Sequence, residues 1–224
     1  MGRVISESEY LRTCNDPEWE FEDGRRIRRH VGTHAHSALQ GALAGYLHER
    51  RKDWGLEVLM SLTFRLRPRR YVIADVCAFR HPAPEEQIPT SPRVLWIEIL
   101  SPQDRRSAVD RRLKEILAFG APYVWLIDPV SLESELHTPH SRKALTDGIL
   151  RIPGTPIEVP LLQVFVDWQR ITGRRGSSRP SSSAWPSKEA IRKREFAKVR
   201  ETYREQPDTE TAPDTWPNCE DFKE

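Results

Sequence analysis

The stretch that decides the fold is residues 94–102, with the sequence VLWIEILSP. Six of its first seven residues are large and apolar, which is typical of a strand covered on both faces. Glu98 lies in the middle of this run. A carboxylate is costly there, because Glu is almost never fully buried unless it is paired or bound to a cation. The fold must therefore bring a partner to Glu98.

A second apolar run, residues 71–79 with the sequence YVIADVCAF, carries Asp75 near its centre. Two neighbouring strands with one acid each form a natural site for a hard divalent cation. The alternative is that Asp75 and Glu98 pair with arginines of this Arg-rich chain. The residue types alone leave both interpretations open.

The length and charge of the chain limit what it can be. Its 224 residues suffice for one full-sized domain with a core of its own and a surplus at the C-terminus. The net charge is only +2, so any surface that binds nucleic acid must be local.

Cysteines and apolar runs indicate the compartment. Cys14, Cys77 and Cys219 are widely spaced and form no CxxC pair, which argues against a disulfide framework or a zinc site and fits a reducing compartment. No apolar run approaches the roughly 20 residues that a membrane span requires. We therefore expect a cytoplasmic protein without a membrane partner.

The order of patterns predicts an α/β fold with a central mixed β-sheet flanked by helices. A hairpin turning at Asp23-Gly24 is followed by an amphipathic helix over residues 33–52. Strands are expected over residues 57–66, 71–80, 94–100 and 123–128. Alternation in the first of these should place Val58, Met60, Leu62, Phe64 and Leu66 on one side. A helix that begins at Ser101-Pro102 and ends before Gly120 separates the last two strands, so these should pair in parallel.

The composition changes after about Thr172. The stretch over residues 173–188 is rich in Gly, Ser and Pro. Charged residues dominate the remainder of the chain. We predict one domain over residues 1–172 and a flexible, disordered, charged tail over residues 173–224.

The helix after Glu98 carries a cation on its inner face. Val109, Leu113 and Ile116 define its apolar face, and at 100° per residue Arg112 falls within that arc while Lys114 lies outside it. Acids on adjacent strands with a cation directed at them form the layout of a metal-dependent phosphodiesterase. No GxxxxGK, GxSxG, HExxH or EF-hand pattern supports a competing chemistry.

Other basic residues are candidates for contacts with nucleic acid. Arg25 and Arg28 belong to a dense basic strand, His36 lies near the start of the first long helix, and Arg105 lies near the start of the second. A charge run can equally be a solvated edge, and a lone His can be a packing residue, so both interpretations remain open.

Three segments in order resemble a known family: IADVCAFR, VLWIEILSPQDR and LAFGAPYVWLIDP. They are similar to motifs of the Uma-type restriction endonucleases, a bacterial group of the PD-(D/E)xK nuclease superfamily, over roughly residues 5 to 167. The resemblance implies a restriction-endonuclease-like core, Mg²⁺ or Mn²⁺ as cofactor and DNA as partner. It also implies catalytic roles for Asp75, Glu98 and Arg112, with Asp75 and Glu98 as the metal ligands.

The chain departs from the family pattern at two places. Arg112 stands where the family usually has Lys, and Arg25 and Thr33 stand where relatives carry an acid. A third acid could come from Glu20, Glu22 or Glu57, and the sequence does not select among them.

The sequence therefore predicts a Mg²⁺-dependent DNA endonuclease. A catalytically impaired nucleic-acid-binding protein of the same fold is the first alternative. A structural or regulatory protein, with Asp75 and Glu98 paired with arginines, is the second. A homodimer is compatible with each of these.

Overall fold

The computed structural model describes residues 4–12, 19–29, 32–83, 85–91 and 95–171. The helices are α1 (Glu7–Arg12), α2 (His34–Glu49), α3 (Arg51–Trp54), α4 (Arg106–Ala118) and α5 (Leu161–Ile171). The strands are β1 (Trp19–Glu22), β2 (Arg25–Arg28), β3 (Leu56–Arg67), β4 (Arg70–Arg80), β5 (Leu95–Ile99), β6 (Tyr123–Ile127), β7 (Ser134–Thr138), β8 (Ser141–Leu145), β9 (Ile149–Arg151) and β10 (Glu158–Pro160). The predicted tail, residues 173–224, lies outside the described residues.

Eight of these strands form one mixed sheet in the order β2-β1-β4-β5-β6-β7-β8, with β3 paired to β4. Strands β5 and β6 are parallel, as the intervening helix α4 predicted, and the other pairs of this sheet are antiparallel. Strands β9 and β10 form a separate small sheet. The predicted α/β class with a central mixed sheet is confirmed.

Strand β4 is paired differently along its two edges. Strand β3 pairs along one edge, from Leu56 opposite Arg80 to Arg67 opposite Arg70. The other edge is divided, because β1 pairs only with Arg70 and Tyr71 while β5 pairs with residues 76–78. A gap between β1 and β5 is thus left beside residues 72–75 of β4. We call it the β1/β5 gap.

Two apolar clusters cover the two faces of the sheet. Residues of β5 alternate between them, since Ile97 and Ile99 belong to one cluster and Trp96 to the other. The first cluster contains the apolar face of α2 and residues of α5. The second contains Val109, Leu113 and Ile116 of α4. Helices therefore reach the β1/β5 gap from both sides of the sheet.

The structure differs from the sequence prediction at the start of α4 and in an additional strand, β8. Helix α4 begins at Arg106 instead of near Ser101, because Ser101 and Asp104 close a turn of their own: the Ser101 N–H donates to Asp104 Oδ2 at 2.8 Å, and the Asp104 N–H donates to the Ser101 carbonyl at 3.0 Å. Strand β8 was not predicted, since its residues SRKAL are mostly exposed and show no apolar alternation.

Candidate active site

A cavity of about 170 Å³ lies at the β1/β5 gap. It is lined by residues of β1, β2, β4, β5, β6, α2 and α4 and of the segments after β2 and β5. Its charged lining residues are Glu20, Arg28, Arg29, His36, Arg70, Asp75, Glu98, Asp104, Arg111, Arg112 and Glu115. The two acids and the inward cation predicted from sequence therefore meet in one cavity.

Asp75 lies where the regular pleat of β4 is interrupted. Ala74 and Cys77 pack in the same cluster although they are three residues apart, so the alternation changes between them. The residue opposite Asp75 by register, Ser61 of β3, has a φ of 50°. Gln40 of α2 donates from Nε2 to the Asp75 carbonyl at 2.8 Å and to Ser61 Oγ at 3.3 Å. The Gln40 side chain thus holds the backbone of β4 at Asp75, beside the β1/β5 gap.

This interruption also corrects the prediction for β3. The sequence pattern placed Val58, Met60, Leu62 and Phe64 on one side of the strand. Instead, Val58 packs with the first cluster, Leu62 and Phe64 belong to the second, and Met60 is 54% exposed. The physical reason is the left-handed backbone at Ser61, which reverses the side that successive residues face.

The carboxylate of Asp75 has three donors. Arg29 bonds to Oδ1, while Oδ2 accepts from the Ile99 N–H at 2.8 Å and lies 3.4 Å from His36 Nε2. Burial raises the pKa of Asp75, but the hydrogen bond to His36 and the charge of Arg29 outweigh it and hold the pKa below its ordinary value. The lowered pKa favours the ionised form of Asp75, whose charge is balanced by Arg29 in the segment after β2.

Glu98 lies next to Asp75 across the two strands. Val76 pairs with Ile97, so the same antiparallel register carried one residue further sets Asp75 opposite Glu98. Trp96 Nε1 donates to Glu98 Oε1 at 2.5 Å, and Arg112 Nε donates to Oε2 at 2.8 Å. Burial raises the pKa of Glu98, and repulsion from Asp75 adds to this against the attraction of Arg112. The two acids thus repel each other at close range.

Glu20 of β1 is a third acid at this site. Its Oε1 accepts from Arg112 Nη1 at 2.5 Å and from the Ile73 N–H at 3.1 Å, and its Oε2 accepts from Arg70 Nη1 at 3.2 Å. Burial raises the pKa of Glu20, but the charges of Arg112 and Arg70 outweigh this and lower it. The carboxylate also satisfies a backbone N–H of β4 that no strand pairs with at the β1/β5 gap.

The structure therefore selects among the three acids that the sequence left open. Glu22 lies 4.0 Å from Arg67 on the outer part of the hairpin, and Glu57 is paired opposite Phe79 at the far end of β4. The only sequence signal for Glu20 was its alternation with Trp19 and Phe21, which applies equally to Glu22.

Arg112 joins two of the acids. It donates four hydrogen bonds, two to Glu98, one to Glu20 and one to the Ile73 carbonyl. Burial lowers its pKa, but the charges of Glu20 and Glu98 raise it well above the ordinary value. Its side chain remains 20% exposed toward the cavity, and Lys114 is exposed, as the helical arc predicted.

Arg70 extends this arrangement away from the cavity. Its Nε donates to Glu115 Oε2 at 2.9 Å, and its side chain is only 5% exposed. The order Glu115, Arg70, Glu20, Arg112, Glu98 is thus a chain of alternating charges. The pairing of site acids with arginines, which the sequence offered as an alternative to a cation site, is present.

The predicted nucleic-acid contacts occupy different places. Arg28 lines the cavity, with its guanidinium 6.0 Å from the centre of the Trp19 ring, while Arg25 and Arg105 are exposed and do not line it. His36 is buried beside Asp75, so it faces the cleft and not the surface. Among the described side chains, its Nδ1 has no hydrogen-bond partner.

Sequence reasoning did not single out three further arginines of the cavity, which are Arg70, described above, and Arg29 and Arg111. Arg29, which bonds to Asp75, is one member of the dense basic run, and Arg111 precedes the inward cation of α4. The density of arginine in both segments was the only signal for either.

The donor set suits a hard divalent cation in chemical type. Within the described ranges, no group of three or more His, Cys, Asp and Glu side chains is arranged to hold a metal ion. Asp75 and Glu98 nevertheless supply carboxylate oxygens from adjacent strands, and their mutual repulsion is what a cation between them would relieve. Arg29 and Arg112 now bind these oxygens, so a cation would have to displace them.

The fold of this chain is shared with a protein of known structure. A crystal structure from Anabaena variabilis, titled as a putative nuclease belonging to DUF820, is similar to this chain with a TM-score of 0.61 and 21% identity. The similarity covers 73% of this chain and 98% of that one, and at this identity it establishes the fold alone. The chain therefore has the fold of that nuclease-like protein.

The particular family follows from a second comparison. The family model Uma2, described as "Putative restriction endonuclease", matches residues 7–168, and this chain belongs to that family. This confirms the resemblance inferred from the three motifs. No curated protein matches the chain. None of the helices in the described part of the chain is long and apolar enough to cross a membrane.

Proposed function

We propose that this protein is a metal-dependent endonuclease that hydrolyses phosphodiester bonds of DNA with Mg²⁺ or Mn²⁺, in a bacterial cytoplasm. The observation that carries the proposal is the meeting of Asp75, Glu98 and Arg112 in one cavity at the β1/β5 gap. Membership of a restriction endonuclease family supports the same reaction.

Asp75 and Glu98 would hold the cation. When bound, a divalent cation supplies polarisation of the phosphate and a lowered pKa for a bound water molecule. The residues around the acids keep them in position: Ile99 and Gln40 hold the side chain and backbone of Asp75, and Trp96 orients Glu98. Pre-organised ligands of this kind lower the cost of binding.

The arginines of the cavity would bind the substrate. Arg112 presents a planar set of N–H donors, which matches the oxygens of a phosphate and can stabilise the charge that develops on it during hydrolysis. Arg28 and Arg111 lie at the exposed part of the cavity lining, where they can neutralise neighbouring phosphates of the backbone. Such contacts position the strand without reading its sequence.

One observation favours the second candidate, a nucleic-acid-binding protein with impaired catalysis. Arg112 already satisfies Glu98 and Glu20, so the acids have counter-charges before any cation binds. A guanidinium in place of the family's ammonium also fills more of the cavity.

Cleavage of plasmid DNA by the full chain, with and without Mg²⁺ or Mn²⁺, tests the proposal. We expect cation-dependent nicking or linearisation. Asp75→Ala should abolish it and leave DNA binding in a gel-shift assay intact or stronger, because the change removes negative charge from a site that accepts phosphate. Asp147→Ala, which removes an exposed acid in the turn between β8 and β9, should cleave as the parent does.

The same experiment separates the alternatives. A parent that binds DNA without cleaving it supports the impaired nuclease. A parent that does neither supports a structural role for the paired acids. Equal cleavage by Asp75→Ala and the parent would assign the activity to another site.

A further inference from the structure

Arg112 uses most of its hydrogen-bond donors within the site. Its Nε and Nη2 bond to the two oxygens of Glu98 at 2.8 and 3.3 Å, and its Nη1 bonds to Glu20 at 2.5 Å. Its Nη2 also donates to the Ile73 carbonyl at 2.7 Å. A guanidinium has five N–H donors, so little of its capacity is left for another ligand.

This engagement opposes cation binding. Both oxygens of Glu98 accept from Arg112, and a cation shared by Asp75 and Glu98 needs at least one of them. A cation there would also repel the guanidinium at close range, because Arg is permanently charged and cannot lose a proton to relieve it. In the free protein, Arg112 and a divalent cation therefore compete for Glu98.

A phosphate removes this competition. Its oxygens offer a guanidinium the same two-pronged acceptor geometry as a carboxylate. Arg112 is 20% exposed to the cavity, so a ligand can reach it, and Arg28 and Arg111 line the same cavity and favour an anion there. A phosphate bound between Arg112 and the acids would free Glu98 and lie against a cation held by Asp75 and Glu98.

We infer that Arg112 couples the two binding events, so that a nucleic-acid phosphate draws Arg112 from Glu98 and the cation binds the protein–phosphate complex more tightly than the free protein. The inference rests on the proposed cation site, but it concerns the coupling of binding and not hydrolysis. By linkage, the cation must tighten phosphate binding by the same factor. Couplings of this kind are typically about 5- to 150-fold.

The test measures binding by the full chain in both directions. A fluorescently labelled DNA duplex of about 20 base pairs is titrated with protein in EDTA and in Mn²⁺ at equal ionic strength, since salt alone changes phosphate binding. Mn²⁺ binding to the protein is then followed by electron paramagnetic resonance with and without the unlabelled duplex, after subtraction of the ions that the duplex binds alone. Gels verify that the duplex stays intact. We expect both affinities of the parent to rise by the same factor, at least about 5-fold.

Two variants assign the effect to Arg112. Arg112→Gln removes the competing charge, so the free variant should bind Mn²⁺ more tightly than the free parent, and the duplex should no longer strengthen that binding through this residue. Lys114→Gln makes the same change of charge at an exposed position of α4 and should behave as the parent does. If Arg112→Gln does not fold, Arg112→Lys keeps the charge with fewer donors and should bind Mn²⁺ more tightly than the parent when free.

Several outcomes would overturn the inference. One is an equal Mn²⁺ affinity of the parent with and without the duplex. Another is a free Arg112→Gln variant that binds Mn²⁺ no more tightly than the free parent. If Arg112→Lys is the variant tested, the same result for that variant would overturn the inference. Cation-dependent cleavage without coupling would remove the inference and leave the proposed function standing. Coupling without cleavage would remove the proposed hydrolysis and leave the inference standing.

Discussion

Glu98 and Glu135 both lie in the central sheet and both are contacted by an arginine of α4, but of these two only Glu98 lines the cavity. Glu98 of β5 binds Arg112, and Glu135 of β7 lies 3.4 Å from Arg106, which is six residues earlier in α4. Glu135 also accepts from Arg142 at 2.7 Å and contacts His137 at 2.8 Å.

The surroundings of the two acids differ. Glu98 is 8% exposed, lines the cavity and has a second carboxylate, Asp75, across the strand. Glu135 does not line the cavity, and its partners Arg106 and Arg142 have side chains that are 47% and 51% exposed. An arginine partner alone therefore does not mark a functional acid. What distinguishes Glu98, the proposed cation ligand, is a second buried acid beside it at the β1/β5 gap.

The largest expected difference is in cleavage. Glu98→Gln should lower the Mg²⁺-dependent cleavage rate by on the order of 1,000-fold, because a lost cation ligand removes several kcal/mol of transition-state stabilisation. Glu135→Gln should cleave as the parent does. Single-turnover cleavage rates on a plasmid measure both variants. An equal loss of rate in Glu98→Gln and Glu135→Gln would show that the surroundings of Glu98 do not mark a catalytic site.

The next largest effect concerns stability. Arg70→Met should lower the free energy of unfolding by about 3 kcal/mol, because it leaves Glu20 buried with one fewer counter-charge and removes the partner of Glu115. Arg142→Met, at the exposed pair with Glu135, should cost only about 0.2 to 1 kcal/mol. Urea denaturation followed by circular dichroism compares them. A cost for Arg142→Met as large as that for Arg70→Met would contradict the assignment of the buried network.

A smaller effect is expected at Gln40, which holds the backbone of Asp75. Gln40→Met keeps the side-chain length but removes the donor, so the affinity for Mn²⁺ should fall by about 10- to 100-fold. Its cost in unfolding free energy should be only about 1 kcal/mol. Gln163→Met, which removes an exposed bond to Asp167 on α5, should leave Mn²⁺ affinity unchanged. Calorimetric titration with Mn²⁺ measures these affinities. An unchanged Mn²⁺ affinity in Gln40→Met would limit Gln40 to a packing role.

The smallest effect separates the two acids by pH. The pKa of Glu98 is raised above its ordinary value of 4.5 by burial, so its contribution to stability is present below 4.5 and is lost as the pH rises through the raised value. Asp75 behaves oppositely, because its pKa is lowered from 3.8 and its contribution is lost only as the pH falls below that value. Glu98→Gln should therefore change the pH dependence of unfolding above pH 4.5, and Asp75→Asn should change it below pH 3.8.

Urea denaturation in EDTA across this range, with Glu135→Gln as control, checks the prediction. A change on the same side of the pH range in both variants would contradict the opposite directions of the two pKa shifts.

The sequence by itself determined much of the candidate site. Asp75 and Glu98 were identifiable because an isolated carboxylate in an apolar strand is costly without a partner. Arg112 was identifiable because helical periodicity directs every side chain of α4 relative to its apolar face. Both signals are local, since they depend only on the spacing of residues within one element. The roles of these residues in catalysis stay predictions.

Only the tertiary structure decided the rest. Glu20 and Glu22 alternate identically in β1, and the division of the β4 edge between β1 and β5 brings Glu20 alone to the gap. The contacts of Gln40 and Arg29 with Asp75 likewise join residues 35 and 46 positions apart. Local periodicity carries no information about which strand edges meet, because that depends on packing between distant segments. Asp75, Glu98 and Arg112 could therefore be found from the sequence, while the third acid, Glu20, and the contact of Arg29 with Asp75 could be assigned only from the fold.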